Sequence, residues 1–216
     1  MKFFVDSADL SEVREAVSWG LADGVTTNPS LLAKTGRPYA EVLREICAAI
    51  DGPVSAEVVA TEAAAMCEEG QKLAQIHPNV VVKCPLTIDG LKATKALSAR
   101  GIRVNVTLVF SPLQGLAAAK CGATYVSPFV GRLDDLGHDG FAMVEQLVRI
   151  LRNYAYPSQV LVASLRSPNH VLRAAETGAQ VATVPFNVMR QMLEHPLTAI
   201  GLERFLADWH KTKQKI

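Results

Sequence analysis

Eight short runs of β-branched and aromatic residues alternate along the chain with segments of helical spacing, and this alternation restricts the fold more than any other feature. The runs cover residues 2–6, 24–28, 54–60, 80–83, 102–110, 124–130, 159–165 and 181–186. Most are nearly continuous in apolar residues, the pattern of parallel strands covered by helices. Between them apolar residues return at three- and four-residue steps. Leu10, Val13, Ala16 and Val17 follow the first run, Val42, Ile46 and Ala49 the second, and Phe141, Val144, Leu147, Val148 and Leu151 the sixth. Punctuation agrees with this division. Asp9-Leu10-Ser11-Glu12 spells a capping box, and Thr61 stands where the helix after the third run needs a cap. Ser111-Pro112 and Ser167-Pro168 place an N-cap before a proline. Gly101, Gly122 and Gly178 fall just past helical segments, where a left-handed residue closes the last turn.

Eight strand–helix units predict an α/β fold, a (β/α)8 barrel. The rival is an open doubly wound sheet, but no GxGxxG follows the first run and no P-loop occurs. The chain has 216 residues, close to the lower limit of about 200 for a barrel. Residues 1–216 are therefore expected to form one domain with short loops. One segment is left over. Leu197, Ile200, Phe205, Leu206 and Trp209 predict an extra C-terminal helix over about residues 197–212. It needs an apolar surface, either on its own barrel or on another subunit.

Composition removes several function classes. With 22 Lys plus Arg against 21 Asp plus Glu, the net charge is +1, without the basic excess of a nucleic-acid binder. No apolar run reaches membrane-spanning length, and the start Met1-Lys2-Phe3-Phe4-Val5-Asp6 is not a signal peptide. Cys47, Cys67, Cys84 and Cys121 form no CxxC pair and read as free thiols of a cytoplasmic protein. The five histidines avoid the strand ends and show no HExxH spacing, so no metal site is expected. There is also no GxSxG nucleophile.

Barrel enzymes place their chemistry at the C-terminal ends of the strands. Here those ends carry Asp6, Asn28, Glu57, Lys83, Asn105, Thr107, Ser127 and Ser164. Lys83 is the most informative, because it follows three valines. A lysine inside an apolar strand loses hydration, which favours the neutral amine that attacks carbonyls. Two other roles are open: an ion pair with Asp6 or Glu57, or a snorkelling stem. The two carboxylates fit acid–base work or simple balancing of the lysine charge. Asn28 and Asn105 fit substrate hydroxyls or turn capping. Arg132 and Arg166 lie just beyond strand ends, where guanidinium groups suit a phosphate; a surface ion pair, such as Arg132 with Asp134 or Asp135, is the alternative.

Taken together, Phe4-Val5-Asp6-Ser7-Ala8, Gly24-Val25-Thr26-Thr27-Asn28-Pro29-Ser30, Val82-Lys83-Cys84-Pro85, the segment from Asn105 to Ser111, the segment from Val126 to Arg132 and Ala163-Ser164-Leu165-Arg166 resemble the transaldolase family. They stand in the family's order from the first strand to the eighth, and the length resembles its short branch, which includes fructose-6-phosphate aldolases. The resemblance implies that Lys83 forms a Schiff base with a ketose phosphate and that Asp6 takes the C4-hydroxyl proton. It implies that Glu57, with Thr107 and a water, moves protons during Schiff-base formation. It assigns Asn28, Asn105 and Ser127 to the dihydroxyacetone hydroxyls, and Arg132, Ser164 and Arg166 to the phosphate. No metal or organic cofactor is implied. Transaldolases resemble this chain in carrying Glu and Phe at the positions of Glu57 and Phe129, where the aldolases carry Gln and Tyr. Leu165 and Cys84 depart from the residues common in relatives. The resemblance also implies a homo-oligomer, a pentamer or decamer, with the C-terminal helix reaching a neighbour.

Overall fold

In the computed structural model, which describes residues 1–215, eight parallel strands close on themselves in chain order. They are β1 (Lys2–Asp6), β2 (Gly24–Thr26), β3 (Val54–Glu57), β4 (Val80–Pro85), β5 (Val104–Val109), β6 (Tyr125–Pro128), β7 (Gln159–Val162) and β8 (Val181–Val184). β8 pairs with β1 through Lys2 with Val181 and Val5 with Val184, which completes the barrel. The helices are α1 (Leu10–Ser18), α2 (Pro29–Thr35), α3 (Tyr39–Ala49), α4 (Ala63–Ala74), α5 (Ile88–Ser98), α6 (Pro112–Lys120), α7 (Val130–Asp134), α8 (Gly140–Asn153), α9 (Pro168–Glu176), α10 (Phe186–Leu193) and α11 (Pro196–Thr212). The predicted barrel with an extra C-terminal helix is therefore the fold found.

Strand alternation divides the apolar residues into two cores. Residues facing outward, such as Val5, Val25, Ala56, Val82, Val106, Val126, Val162 and Ala182, pack under the helix ring. A smaller inner cluster of Phe4, Val81, Tyr125, Leu161, Ala163 and Val181 fills the barrel. Phe4 meets Tyr125 edge to face, with ring centroids 5.7 Å apart. This packed inner layer makes the lower barrel a solid plug and leaves only its upper end for chemistry.

Several helix starts form as their residues dictate. Ser111 accepts from the Gln114 amide at 3.2 Å, and Ser167 from the His170 amide at 3.3 Å, each ahead of a proline. Gly101, Gly122 and Gly178 all adopt positive φ. Two predicted caps differ. Asp9 accepts from the Ser11 amide, but Glu12 does not return to the Asp9 amide. The Ser7 hydroxyl takes both places, accepting from that amide at 3.0 Å and donating to Glu12 at 2.5 Å. Thr61 does not cap α4, whose N-cap is Glu62. The turn is held instead from inside that helix, where Glu69 accepts from the amides of Val59 and Ala60. The second and third runs also end earlier than their composition suggests, at Thr26 and Glu57. Asn28 starts α2 by accepting from the Leu31 amide at 2.9 Å, with Pro29 at the first helical position. The sixth run divides into β6 and the short α7.

The C-terminal helix is an outlier. None of its residues is buried, and Leu197, Ile200, Leu202, Phe205, Leu206 and Trp209 all stand exposed. No helix among the described residues is long and apolar enough to cross a membrane.

Candidate active site

Above the apolar plug the inward-facing positions turn polar. Two residues up each strand from the inner cluster come Asp6 on β1, Lys83 on β4, Ser127 on β6 and Thr183 on β8. With Thr26, Asn105 and Phe129 they line one small pocket at the C-terminal mouth. The barrel thus brings Asp6, Lys83, Asn105, Ser127 and Phe129, all singled out in the sequence, to one place.

Lys83 is 6% exposed, and its amine has two partners. Nζ lies 2.9 Å from Glu57 Oε2 and donates to the Thr27 carbonyl at 3.2 Å. Glu57 and Lys83 are cross-strand partners in the register of β3 with β4, so the pair is set by the sheet itself. Of the two carboxylates considered, Glu57 takes the lysine.

Asp6 has other company. The Thr26 hydroxyl donates to its Oδ1 at 2.8 Å, and the Thr26 and Thr183 hydroxyls are 2.5 Å apart. Thr26 has one hydroxyl proton and uses it on Asp6, so Thr183 must donate to Thr26. A one-way chain thus runs from β8 through β2 to β1. Burial pushes the Asp6 carboxyl above its ordinary value, against the Thr26 hydrogen bond and the Lys83 charge, which pull it down.

A second polar chain crosses the barrel through β5. Asn105 donates to Ser55 Oγ at 3.2 Å and accepts from Ser127 at 2.7 Å. Ser127 has spent its proton, so its oxygen is left to accept, and Asn105 keeps one N–H to donate. Thr107, two residues on, shares the inward face of β5. Its hydroxyl is buried and has no partner among the described residues. The register of β5 with β6 then shifts between Val106 and Val109, and Leu108 takes a φ of 60°. Such irregularities re-aim side chains at barrel rims.

The remaining predicted residues sit at the rim. Phe129 packs edge to face on Phe110 at 6.0 Å, and the Arg132 guanidinium lies over its ring at 5.1 Å. Arg132 and Arg166 are both exposed. The ion pair foreseen for Arg132 is made by Arg166 instead, which grips Asp135 with both terminal nitrogens. Ser164 holds a φ of 63° at the turn after β7. Gly131 allows α7 to approach that turn, since a Cβ there would meet the Ser164 carbonyl at 2.3 Å and Arg166 Nε at 2.8 Å. Asn28 is the α2 cap, so its carbonyl oxygen is engaged and its amide nitrogen is not.

Sequence reasoning missed Thr26, Ser55 and Thr183. The signal was available in the strand period. Each hydroxyl lies at an inward position of its run, Ser55 two residues before Glu57 and Thr183 two after Val181. Cys84 lies on the outward face, as its position beside Lys83 requires, and burial pushes its thiol up to about 12. All four cysteines are free.

Comparison with known proteins points in one direction. The family described as Transaldolase/Fructose-6-phosphate aldolase matches residues 3–216. The chain is 60% identical over 214 residues to a protein of Desulfatibacillum aliphaticivorans named "Probable transaldolase", covering 99% of this chain and all of that protein. It is 57% identical over 211 residues to one of Geotalea daltonii with the same name, covering 98% and 99% of the two chains. A third of that name, from Caldicellulosiruptor saccharolyticus, is 56% identical over 216 residues, the full length of both.

Proposed function

The chain belongs to the transaldolase/fructose-6-phosphate aldolase family, and from that premise we propose that it is a transaldolase, transferring a dihydroxyacetone unit between sugar phosphates through a Schiff base on Lys83. The donor is a ketose phosphate, sedoheptulose 7-phosphate or fructose 6-phosphate. The acceptor is an aldose phosphate, glyceraldehyde 3-phosphate or erythrose 4-phosphate, as in the pentose phosphate pathway of the cytoplasm.

The observation that carries the reading is the buried amine of Lys83 paired with Glu57, in the same mouth as a second carboxylate, Asp6, that is not its ion-pair partner. A binding protein has no use for that arrangement. Glu57 is placed to take a proton from Nζ, freeing the lone pair to attack the C2 carbonyl. The carbinolamine then loses water to give an iminium, with Glu57 and Thr107 handling the protons. The iminium draws the electrons of the C3–C4 bond while Asp6 takes the C4-hydroxyl proton. An aldose phosphate leaves, and the three-carbon enamine remains on Lys83. Attack on the acceptor aldehyde reverses these steps: Asp6 returns its proton to the new hydroxyl, and water hydrolyses the iminium. The iminium itself is the electron sink, so the scheme calls for no metal or organic cofactor.

The free valences of the site suit this substrate. Ser127 can accept from a dihydroxyacetone hydroxyl, and Asn105 and Asn28 can each donate an N–H to one. Phe129 brings no hydroxyl to protonate the enamine, which favours transfer over release. Arg132, Ser164 and Arg166 would hold the phosphate at the rim. For the exposed apolar residues of α11 the same reading supplies a cover: residues 1–216 form one catalytic domain whose last helix contacts a neighbouring copy, in a pentamer or decamer.

The test is borohydride trapping with fructose 6-phosphate, followed by peptide mass mapping. A three-carbon adduct on Lys83 is expected, and it should diminish when an acceptor aldehyde is added before the borohydride. Release of free dihydroxyacetone without an acceptor would make the protein an aldolase. Binding without any adduct would make it a sugar-phosphate binding protein.

A further inference from the structure

We propose that Asp135 is a built-in anion that pairs with the phosphate-binding arginine and is exchanged for the phosphate of the incoming sugar. The proposal rests on the assignment of Arg166 to the phosphate and goes beyond it by naming what sets the affinity there.

Asp135 follows directly on α7, and its two carboxylate oxygens face the two terminal nitrogens of Arg166. This is the bidentate fork that a phosphate would use, so carboxylate and phosphate compete for the same N–H groups. The Arg132 charge also reaches Asp135, and with Arg166 it holds that carboxyl below its ordinary value. One carboxylate thus pairs with Arg166 and lies within the field of Arg132, the two arginines assigned to the ligand. The pair is exposed on both sides, 49% and 52% at the side chains. Such a pair is weakly held, which suits an exchange.

The neighbouring contacts explain how the exchange leaves the rim intact. Asp134 pairs with His170 at 3.5 Å, and Asp139 pairs with Arg173 at 2.8 Å. Asp135 and Asp139 of one segment therefore pair with arginines of the β7–α9 region, and Asp134 lies beside His170 of the same region. The Asp139–Arg173 pair can retain the segment while the Asp135–Arg166 pair opens. Arg173 also lies over the Phe141 ring at 4.4 Å, and His170 packs on that ring edge to face.

The test compares KM for fructose 6-phosphate with KM for unphosphorylated fructose, and the inhibition constant of inorganic phosphate, in Asp135→Asn, Asp139→Asn and Arg166→Ala. In Asp135→Asn the phosphorylated-to-unphosphorylated KM ratio should fall about three- to ten-fold, and inorganic phosphate should inhibit at correspondingly lower concentration. In Asp139→Asn, which removes the same charge from the same segment, the ratio should not follow. An equal fall in both variants would mean a general field effect and would overturn the exchange. A ratio that rises or stays constant in Asp135→Asn would also overturn it, because Asp135 would then position Arg166 or be idle. Arg166→Ala separates the two layers: a ratio indifferent to this change removes Arg166 from the phosphate site, and the exchange falls with it.

Discussion

Lys83 and Glu57 face each other across adjacent strands, Nζ to Oε2 at 2.9 Å, with side chains only 7% and 14% exposed. A pair this deep is favourable only while both members are present, since a lone charge left behind cannot recover its hydration. Glu57→Ala should cost about 3–5 kcal/mol of stability. Lys83→Met, which strands Glu57 in turn, should also destabilise, and adding Lys83→Met to Glu57→Ala should recover part of the loss. Denaturant unfolding of the two single variants and the double variant measures the coupling. Additive losses would show that the two side chains do not depend on each other.

The same pair separates folding from chemistry. Glu57→Gln keeps the volume but cannot take a proton from Nζ. The borohydride-trapped adduct should still form in Glu57→Gln, about 10²–10⁴-fold more slowly, and should not form in Lys83→Met. Quenched-flow trapping reads both. An unchanged rate in Glu57→Gln would remove Glu57 from the proton transfers.

Asp6 gives the pH dependence. Burial raises its pKa, so it is protonated, and useless as a base, at a higher pH than an ordinary carboxyl of about 3.9. The acid limb of kcat should therefore lie above that value. Thr26→Val removes the hydrogen bond that favours the carboxylate, and should move the limb further up. Thr26→Ser should restore it. Stability runs the opposite way. Ionised Asp6 is disfavoured in the fold, so its contribution is fully present at low pH and is lost as pH rises through the raised pKa. A limb unmoved by Thr26→Val would show that another group titrates.

The fold was legible because a closed parallel barrel repeats one signal eight times. Continuous apolar strands, capped helices and the glycines that end them recur in order, so a misplaced boundary does no harm. Boundaries failed where side chains from elsewhere intervene, as Ser7 does between Asp9 and Glu12 and Glu69 does at the turn before α4. The charged site residues stood out because Asp6, Glu57 and Lys83 interrupt apolar strands. Thr26, Ser55 and Thr183 did not, since threonine and serine sit in strands for many reasons. Their roles depend on partners brought across the barrel, Thr183 on β8 to Thr26 on β2 and Asn105 on β5 to Ser55 on β3. The pairing of Arg166 with Asp135 was equally hidden, because 31 residues separate the two partners.

In the proposed scheme Phe129 bears on the fate of the enamine. It lines the pocket with Lys83 and Ser127, and its ring carries no proton to give. Phe129→Tyr introduces a hydroxyl there. Release of free dihydroxyacetone from fructose 6-phosphate without an acceptor should rise about ten-fold or more, while transfer to glyceraldehyde 3-phosphate declines. A coupled dihydroxyacetone assay with and without acceptor gives the ratio. An unchanged ratio would mean that protonation is limited by something other than a donor at this position.

The last prediction concerns the backbone that supports the rim. Gly131 sits where α7 meets the turn after β7, and that turn is already strained by the positive φ of Ser164. A methyl group at 131 would meet the Ser164 carbonyl at 2.3 Å, which is backbone and cannot swing aside as a side chain would. Either α7 or the turn must retreat. Gly131→Ala should therefore cost about 1–3 kcal/mol in thermal or denaturant unfolding. It should also raise KM for phosphorylated donors more than for unphosphorylated fructose, since Ser164 and Arg166 move and Lys83 does not. A stability loss with both KM values unchanged would mean that the retreat is absorbed by α7 alone and that the phosphate rests on the β7 side.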